Sequence, residues 1–106
     1  NLTALSFPEL RDAMLIALRE KWSCFVIMLH SFELVNPVGP VRPHPINIAR
    51  WNSLCSFLAE HREVMTTVGC DELETLSNCA HLPSVIRTRP LATAWRMGEQ
   101  MFSRFM

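Results

Sequence analysis

The chain lacks the charge excess and the long apolar runs that mark nucleic-acid-binding and membrane-spanning proteins. It has no excess of either charge, because ten basic residues balance ten acidic ones, so overall charge does not point to nucleic acid or an anionic membrane as a partner. No stretch approaches the roughly 18 consecutive apolar residues of a membrane-spanning helix, and the N-terminus lacks the basic start and apolar core of a signal peptide. We therefore expect neither nucleic-acid binding nor a membrane span.

Cysteine pairs at metal-binding spacing are also missing. The four cysteines are widely separated, without a C-x-x-C pair, which argues against a disulfide framework. Cys79 and His81 come nearest to a ligand pair, but a zinc site needs four convergent ligands and nothing close in sequence supplies the others. The sequence therefore predicts no metal site within this chain.

The residues that are present suffice for a small globular unit. Apolar residues make up 49% of the 106 positions, enough for a core in one small domain or in part of a larger one. The chain begins at Asn1 and not at Met, so we expect it to be a piece of a longer protein.

The most informative stretch is an uninterrupted apolar run over residues 24–30 that ends on His30. A run of this kind, rich in β-branched and aromatic residues, is typical of a strand buried on both faces of a parallel α/β sheet. His30 is its first polar side chain and stands at the carboxyl end, where such folds bind ligands. His30 is therefore a candidate site residue, and the alternative is a hydrogen-bonded structural histidine.

Helical patterns flank this run. Ser6 and Glu9 predict a capping box that starts a helix reaching about Lys21. A second helix is predicted from Asn47 to about Glu63. Its core face is expected to hold Trp51, Leu54, Cys55 and Leu58, with charged residues, including Arg50, Glu60, Arg62 and Glu63, toward water.

Shorter elements complete the predicted order. Residues 65–68 predict a second strand, and a brief helix should open at Asp71. The loop over residues 36–45, rich in proline and glycine, follows the first strand, where binding loops lie. Arg42 and His44 could face a ligand there, although surface positions without a role are the simpler interpretation.

The C-terminal part divides into two segments. Residues 79–89 show no clear hydrophobic periodicity and are interpreted as an irregular linker. Residues 90–106 predict an amphipathic helix, which we expect to dock on its own domain, although a partner groove or a membrane surface could also receive such a helix. Its apolar face holds Leu91, Ala94, Trp95, Gly98, Met101, Phe102 and Phe105.

Three segments together resemble a known family. Residues 25–34 (FVIMLHSFEL), 50–62 (RWNSLCSFLAEHR) and 67–69 (TVG) are similar to the C-terminal part of bacterial polysaccharide deacetylase-like proteins. The resemblance implies an α/β fold, a partial (β/α) barrel-like fragment with two short parallel strands and three to four helices. Residues 1–78 would be the C-terminal portion of that barrel.

The family resemblance also implies chemistry. Family members remove acetyl groups from glycans with a divalent metal, zinc or similar, held by an aspartate and two histidines. His30 would protonate the leaving group and Leu29 would line the acetyl pocket. His44, His61 and His81 inherit no role. The chain lacks the family's Thr-Phe-Asp-Asp, His-x-x-x-His and Arg-x-Pro motifs, and a general acid without metal-bound water cannot hydrolyse an amide.

Two functional hypotheses follow from the sequence. In the first, the chain is the C-terminal segment of a metal-dependent polysaccharide deacetylase, inactive alone, whose parent binds the glycan and the metal. In the second, it is a non-catalytic, helix-rich interaction or dimerisation domain that forms a homo-oligomer or binds a partner through exposed apolar helix faces. The first predicts that residues 24–30 pair in parallel with 65–68 and that His30 faces an open cleft.

Overall fold

The computed structural model describes residues 3–36, 38–69, 72 and 90–103. This part of the chain contains α1 (Phe7–Arg19), a 3₁₀ turn (Ser31–Leu34), α2 (Pro45–Glu60) and α3 (Pro90–Ser103). The predicted linker 79–89 lies outside the described residues, as does the brief helix predicted at Asp71, apart from Glu72.

Helix α1 follows the sequence prediction closely. The capping box of Ser6 and Glu9 is present, and apolar residues spaced three and four apart form its buried stripe: Leu10, Ala13, Met14 and Ala17. The helix ends in a Schellman arrangement, because Trp22 N–H donates to the Ala17 carbonyl at 2.9 Å and Lys21 N–H donates to that of Leu18 at 3.2 Å. Lys21 takes the left-handed position with φ 56°, where glycine is usual.

The predicted α/β fold is wrong: the described residues are helix-rich and include no strand and no sheet. Residues 24–30 are extended but do not form half of a parallel pair with 65–68. Exposure alternates along them, since Phe25, Ile27 and Leu29 pack on the core while their neighbours face solvent. A segment becomes a β-strand only when its backbone hydrogen-bonds to a neighbouring segment, and an apolar run does not specify that neighbour.

Helix α2 begins before its predicted cap. His44 occupies the N-cap position, where its Nδ1 accepts a hydrogen bond from Asn47 N–H at 3.4 Å, and Pro45 opens the helix. The side-chain amide of Asn47 instead donates to the Glu33 carbonyl at 2.7 Å, tying α2 to the 3₁₀ turn. The helix ends at Glu60, one turn earlier than expected.

A small core joins α1 and α2. Leu10 and Met14 of α1 pack against Leu54 and Phe57 of α2. Partly buried apolar side chains surround this cluster: Leu5, Phe7, Phe25, Ile27, Leu29, Leu58 and Met65. Trp51 and Cys55, predicted for the core face, are instead exposed. The interior therefore depends on two helices covered by one extended segment.

Candidate interaction surface

The predicted catalytic residue His30 and the predicted substrate-binding residue Leu29 point in opposite directions. Leu29 packs against the core, whereas the His30 side chain is about half exposed, as alternation along an extended segment requires. The His30 ring stacks on the exposed Phe32 with centroids 5.2 Å apart, and its Nδ1 lies 3.7 Å from Glu33 Oε2. His30 caps the 3₁₀ turn, its backbone N–H donating to Glu33 Oε2 at 2.8 Å. The structure does not bring Leu29 and His30 together.

Within the described ranges, no three His, Cys, Asp or Glu side chains converge as metal ligands. His44 caps α2. The His61 ring stacks on Phe57, with its Nδ1 2.8 Å from the Phe57 carbonyl. Cys24 and Cys55 are exposed free thiols. The positions of His44 and His61 at the two ends of α2 therefore explain their contacts.

Helix α3 is attached to the domain by polar contacts at its N-terminal half. Glu9, only 1% exposed, receives a hydrogen bond from Thr93 Oγ1 at 3.2 Å and lies 3.5 Å from Arg96 Nε. Ser6 Oγ lies 3.1 Å from Glu9 Oε2 and 3.3 Å from the Ala92 carbonyl, so its single proton can be donated to either. The carboxylate that caps α1 therefore also holds the start of α3.

A second polar anchor holds the middle of α3. Arg50 Nε donates to Glu99 Oε2 at 3.1 Å and its Nη2 donates to the same oxygen, while Nη1 donates to the Thr3 carbonyl at 3.0 Å. Arg50 is 5% exposed, so its predicted position toward water is wrong. We call the set Ser6, Glu9, Arg50, Thr93, Arg96 and Glu99 the polar anchor.

The opposite side of α3 is left uncovered. Among the described α3 residues the side facing the domain is largely polar, with only Ala92 buried. The α3 apolar face is exposed and consists of Leu91, Ala94, Trp95, Gly98, Met101 and Phe102. These six residues belong to the apolar face predicted from the sequence, whose seventh member, Phe105, lies outside the described residues. Helix α3 docks on its own domain as expected, but it does so through its polar side.

An open groove continues the α3 apolar face. It lies between the start of α1, the first half of α2 and α3, with a volume of about 450 Å³. The groove is lined from α1 and α2 by Phe7, Ile46 and Ala49, and from α3 by Trp95 and Phe102. A second groove of about 400 Å³ lies at the C-terminal end of α2, beside Cys55 and Met65. His30 lines neither groove.

Sequence reasoning did not identify the polar anchor. Thr93, Arg96 and Glu99 recur at helical spacing, and Arg96 and Glu99 carry charges opposite to those of Glu9 and Arg50. This complementarity is the signal that could have revealed the contact, because a charge that becomes buried needs a partner of opposite sign.

Comparisons with protein-family models, with curated proteins and with solved structures find no match for this chain. None of the described helices is long and apolar enough to cross a membrane.

Proposed function

We propose that this chain is a non-catalytic interaction domain that binds a partner protein through the α3 apolar face and the adjoining groove. One observation carries the proposal: α3 docks by its polar side and presents its apolar side to solvent. A surface helix that packs only against its own domain buries its apolar stripe and exposes its polar residues. The reversed arrangement is expected of a helix whose apolar side binds something else.

The size of the surface supports this proposal. Leu91, Trp95, Met101 and Phe102 are each more than 60% exposed, which corresponds to about 500 Å² of mostly apolar area. The largest apolar patch on an ordinary monomer covers about 300–600 Å² and is often functional. With an equal area on a partner, a contact here would bury about 1,000 Å² in total, the lower end of the range for specific protein–protein interfaces. The surface can therefore support specific but reversible binding.

The chemistry of the surface favours an uncharged, apolar partner segment. Both charged residues of the described part of α3, Arg96 and Glu99, are engaged with the domain. Over residues 90–103, the apolar face thus offers no cation for anionic lipid headgroups, which interfacial membrane helices use. Gly98 has open space around its Cα, so a partner helix could approach closely there. A partner side chain could enter the groove beside Trp95 and Phe102.

A peptide selection tests the proposal. The immobilised chain would be screened with displayed random peptides long enough for about three helical turns. The selected peptides should be rich in apolar residues, and their binding should be lost in a Trp95→Glu, Phe102→Glu double variant. Gln100→Glu is the control, because Gln100 is also exposed on α3 but lies on the other side of the helix from the apolar face. Peptides that bind all three proteins equally would refute the assignment of this surface.

The deacetylase interpretation stays a prediction. It requires His30 to lie at the carboxyl end of a strand in a sheet and to face a cleft. The exposed, Phe32-stacked ring of His30 provides no support for that requirement, whereas the reversed docking of α3 specifically favours the interaction domain.

A further inference from the structure

The α3 apolar face is complementary in shape to a second copy of itself. Trp95, Met101 and Phe102 project from it, each more than 60% exposed, while Ala94 and Gly98 leave shallow positions between them. A Cβ added at Gly98 would meet no atom within 4 Å, so another helix backbone can come close at this position. Helices pack by fitting the large side chains of one into the shallow positions of the other, and this face carries both kinds.

We propose that two copies of the chain form a twofold dimer in which their α3 helices pack antiparallel and cross at Gly98. The inference rests on the function proposed above and names its partner as the same face of a second copy. That surface favours an uncharged, apolar helix, and α3 itself offers one. Over residues 90–103 the charged side chains, Arg96 and Glu99, are engaged with the domain, so the two faces meet without burying an unpaired charge.

The twofold axis determines which side chains meet. Successive residues are about 100° apart around a helix, so Trp95 and Phe102 lie on one flank of the apolar face and Ala94 and Met101 on the other. Antiparallel packing about Gly98 therefore sets Trp95 of one copy beside Phe102 of the other, and Ala94 beside Met101. Each dimer gains two aromatic pairs, which contribute more than their buried area alone, and each long Met101 side chain covers a small alanine.

The attachment of α3 to its domain leaves room for this partner. Arg96, which pairs with α1, lies about 160° around α3 from Gly98, so α1 is behind the face that the second copy meets. Glu99, which pairs with α2, lies about 100° from Gly98, on the flank of Trp95 and Phe102. The antiparallel twofold puts the α2–α3 grooves of both copies on the same side, where the aromatic side chains of each copy can enter the groove of the other. A parallel pair would place the grooves on opposite sides.

The available area fits a reversible dimer. Two α3 apolar faces bury about 1,000 Å² in total, above the roughly 800 Å² below which most lattice contacts fall and at the lower end for specific complexes. We therefore expect a dissociation constant of about 10–100 μM.

Sedimentation velocity of the full chain from about 1 μM to 1 mM tests the dimer, because this range brackets the expected dissociation constant. The wild type should change from monomer to dimer across it. Gly98→Glu should dimerise about ten times more weakly or not at all, because two carboxylates would meet where the backbones cross. Since an added Cβ has open space and glycine is a poor helix former, the monomeric variant should unfold at the same or a higher urea concentration than the monomeric wild type. Gln100→Glu, exposed on the other side of α3, is the control and should leave the dimer intact.

Mixing two single variants tests the antiparallel register. Trp95→Glu and Phe102→Lys should bind each other more tightly than either binds itself, because the heterodimer keeps one intact Trp95–Phe102 pair and gains one pair of opposite charges. A mixture that binds no more tightly than its components overturns this register.

Two outcomes separate the dimer from the function on which it rests. A wild type that stays monomeric at about 1 mM, where even a weak pair would be populated, refutes the dimer. If that monomer still binds apolar peptides through Trp95 and Phe102, the proposed interaction surface stands without self-pairing; if it binds none, both proposals fail. A dimer that persists in the Trp95→Glu, Phe102→Glu variant refutes α3 as the contact.

Discussion

Removing either partner of the Arg50–Glu99 pair is expected to destabilise the chain by about 2–3 kcal/mol. The Arg50 side chain is 5% exposed and that of Glu99 is 21% exposed, so either single deletion leaves a largely desolvated charge without its partner. A fully buried pair would cost about 3–5 kcal/mol, and the partial exposure of Glu99 lowers this figure. Glu99→Ala should cost at least as much as Arg50→Ala, because it leaves the more buried of the two charges without its partner and also removes the hydrogen bond that Trp95 Nε1 donates to Glu99 Oε1 at 3.0 Å.

A double-mutant cycle measures the coupling free energy between Arg50 and Glu99 directly. Urea unfolding of the wild type, Arg50→Ala, Glu99→Ala and the double variant, followed by circular dichroism and tryptophan fluorescence, should give a coupling of about 2 kcal/mol. This coupling should largely persist in 0.5 M salt, since buried pairs are weakly screened.

The partly exposed Arg11–Asp12 pair, 3.5 Å apart with side chains 40% and 20% exposed, provides the control for that cycle, with an expected coupling below about 0.5 kcal/mol. Additive losses at Arg50 and Glu99 would contradict the reasoning, because they would mean that α3 is not held through this contact.

Two further predictions concern the end of α1 and the candidate catalytic histidine. Lys21→Gly should stabilise the chain by about 1 kcal/mol in urea unfolding, because Lys21 holds a left-handed φ of 56° that glycine adopts without strain; an unchanged or lower stability would contradict this assignment. The chain supplied with Zn²⁺ should release no acetate from an acetylated chito-oligosaccharide, and His30→Ala should behave identically, because the sequence lacks the motifs that bring the metal and the base in the family it resembles, and an imidazole acting alone as a general acid does not hydrolyse an amide. Zinc-dependent acetate release that disappears in His30→Ala would restore the catalytic hypothesis.

Local signals predicted the start of α1 because the interactions that form it are local. Ser6 and Glu9 are three residues apart and meet within one turn, so their pairing is set by the sequence alone. The start of α2 shows the limit of such reasoning. His44 and Asn47 both carry side-chain acceptors suited to a cap, and the choice between them depended on Pro45 and on the Glu33 carbonyl that attracts Asn47.

The prediction that residues 24–30 form a strand buried on both faces is wrong. The segment belongs to no strand in the described structure, and only its alternate side chains Phe25, Ile27 and Leu29 pack against the core. Whether that backbone joins a sheet depends on a partner distant in sequence, which no pattern within the run encodes. The family resemblance supplied such a partner in residues 65–68, and the described structure contains no ladder between the two segments.

The orientation of α3 shows why amphipathicity alone cannot decide which side of a helix docks. Glu9 and Arg50 are buried on the α1–α2 body, and each would be costly if left without a partner. Arg96 and Glu99 supply those partners only when the polar side of α3 faces inward. Charge pairing thus directs the polar side of α3 toward the domain, and the apolar stripe points outward as a consequence. The same buried charges that fix α3 therefore create the surface proposed to bind a partner, so weakening the polar anchor should also weaken that surface.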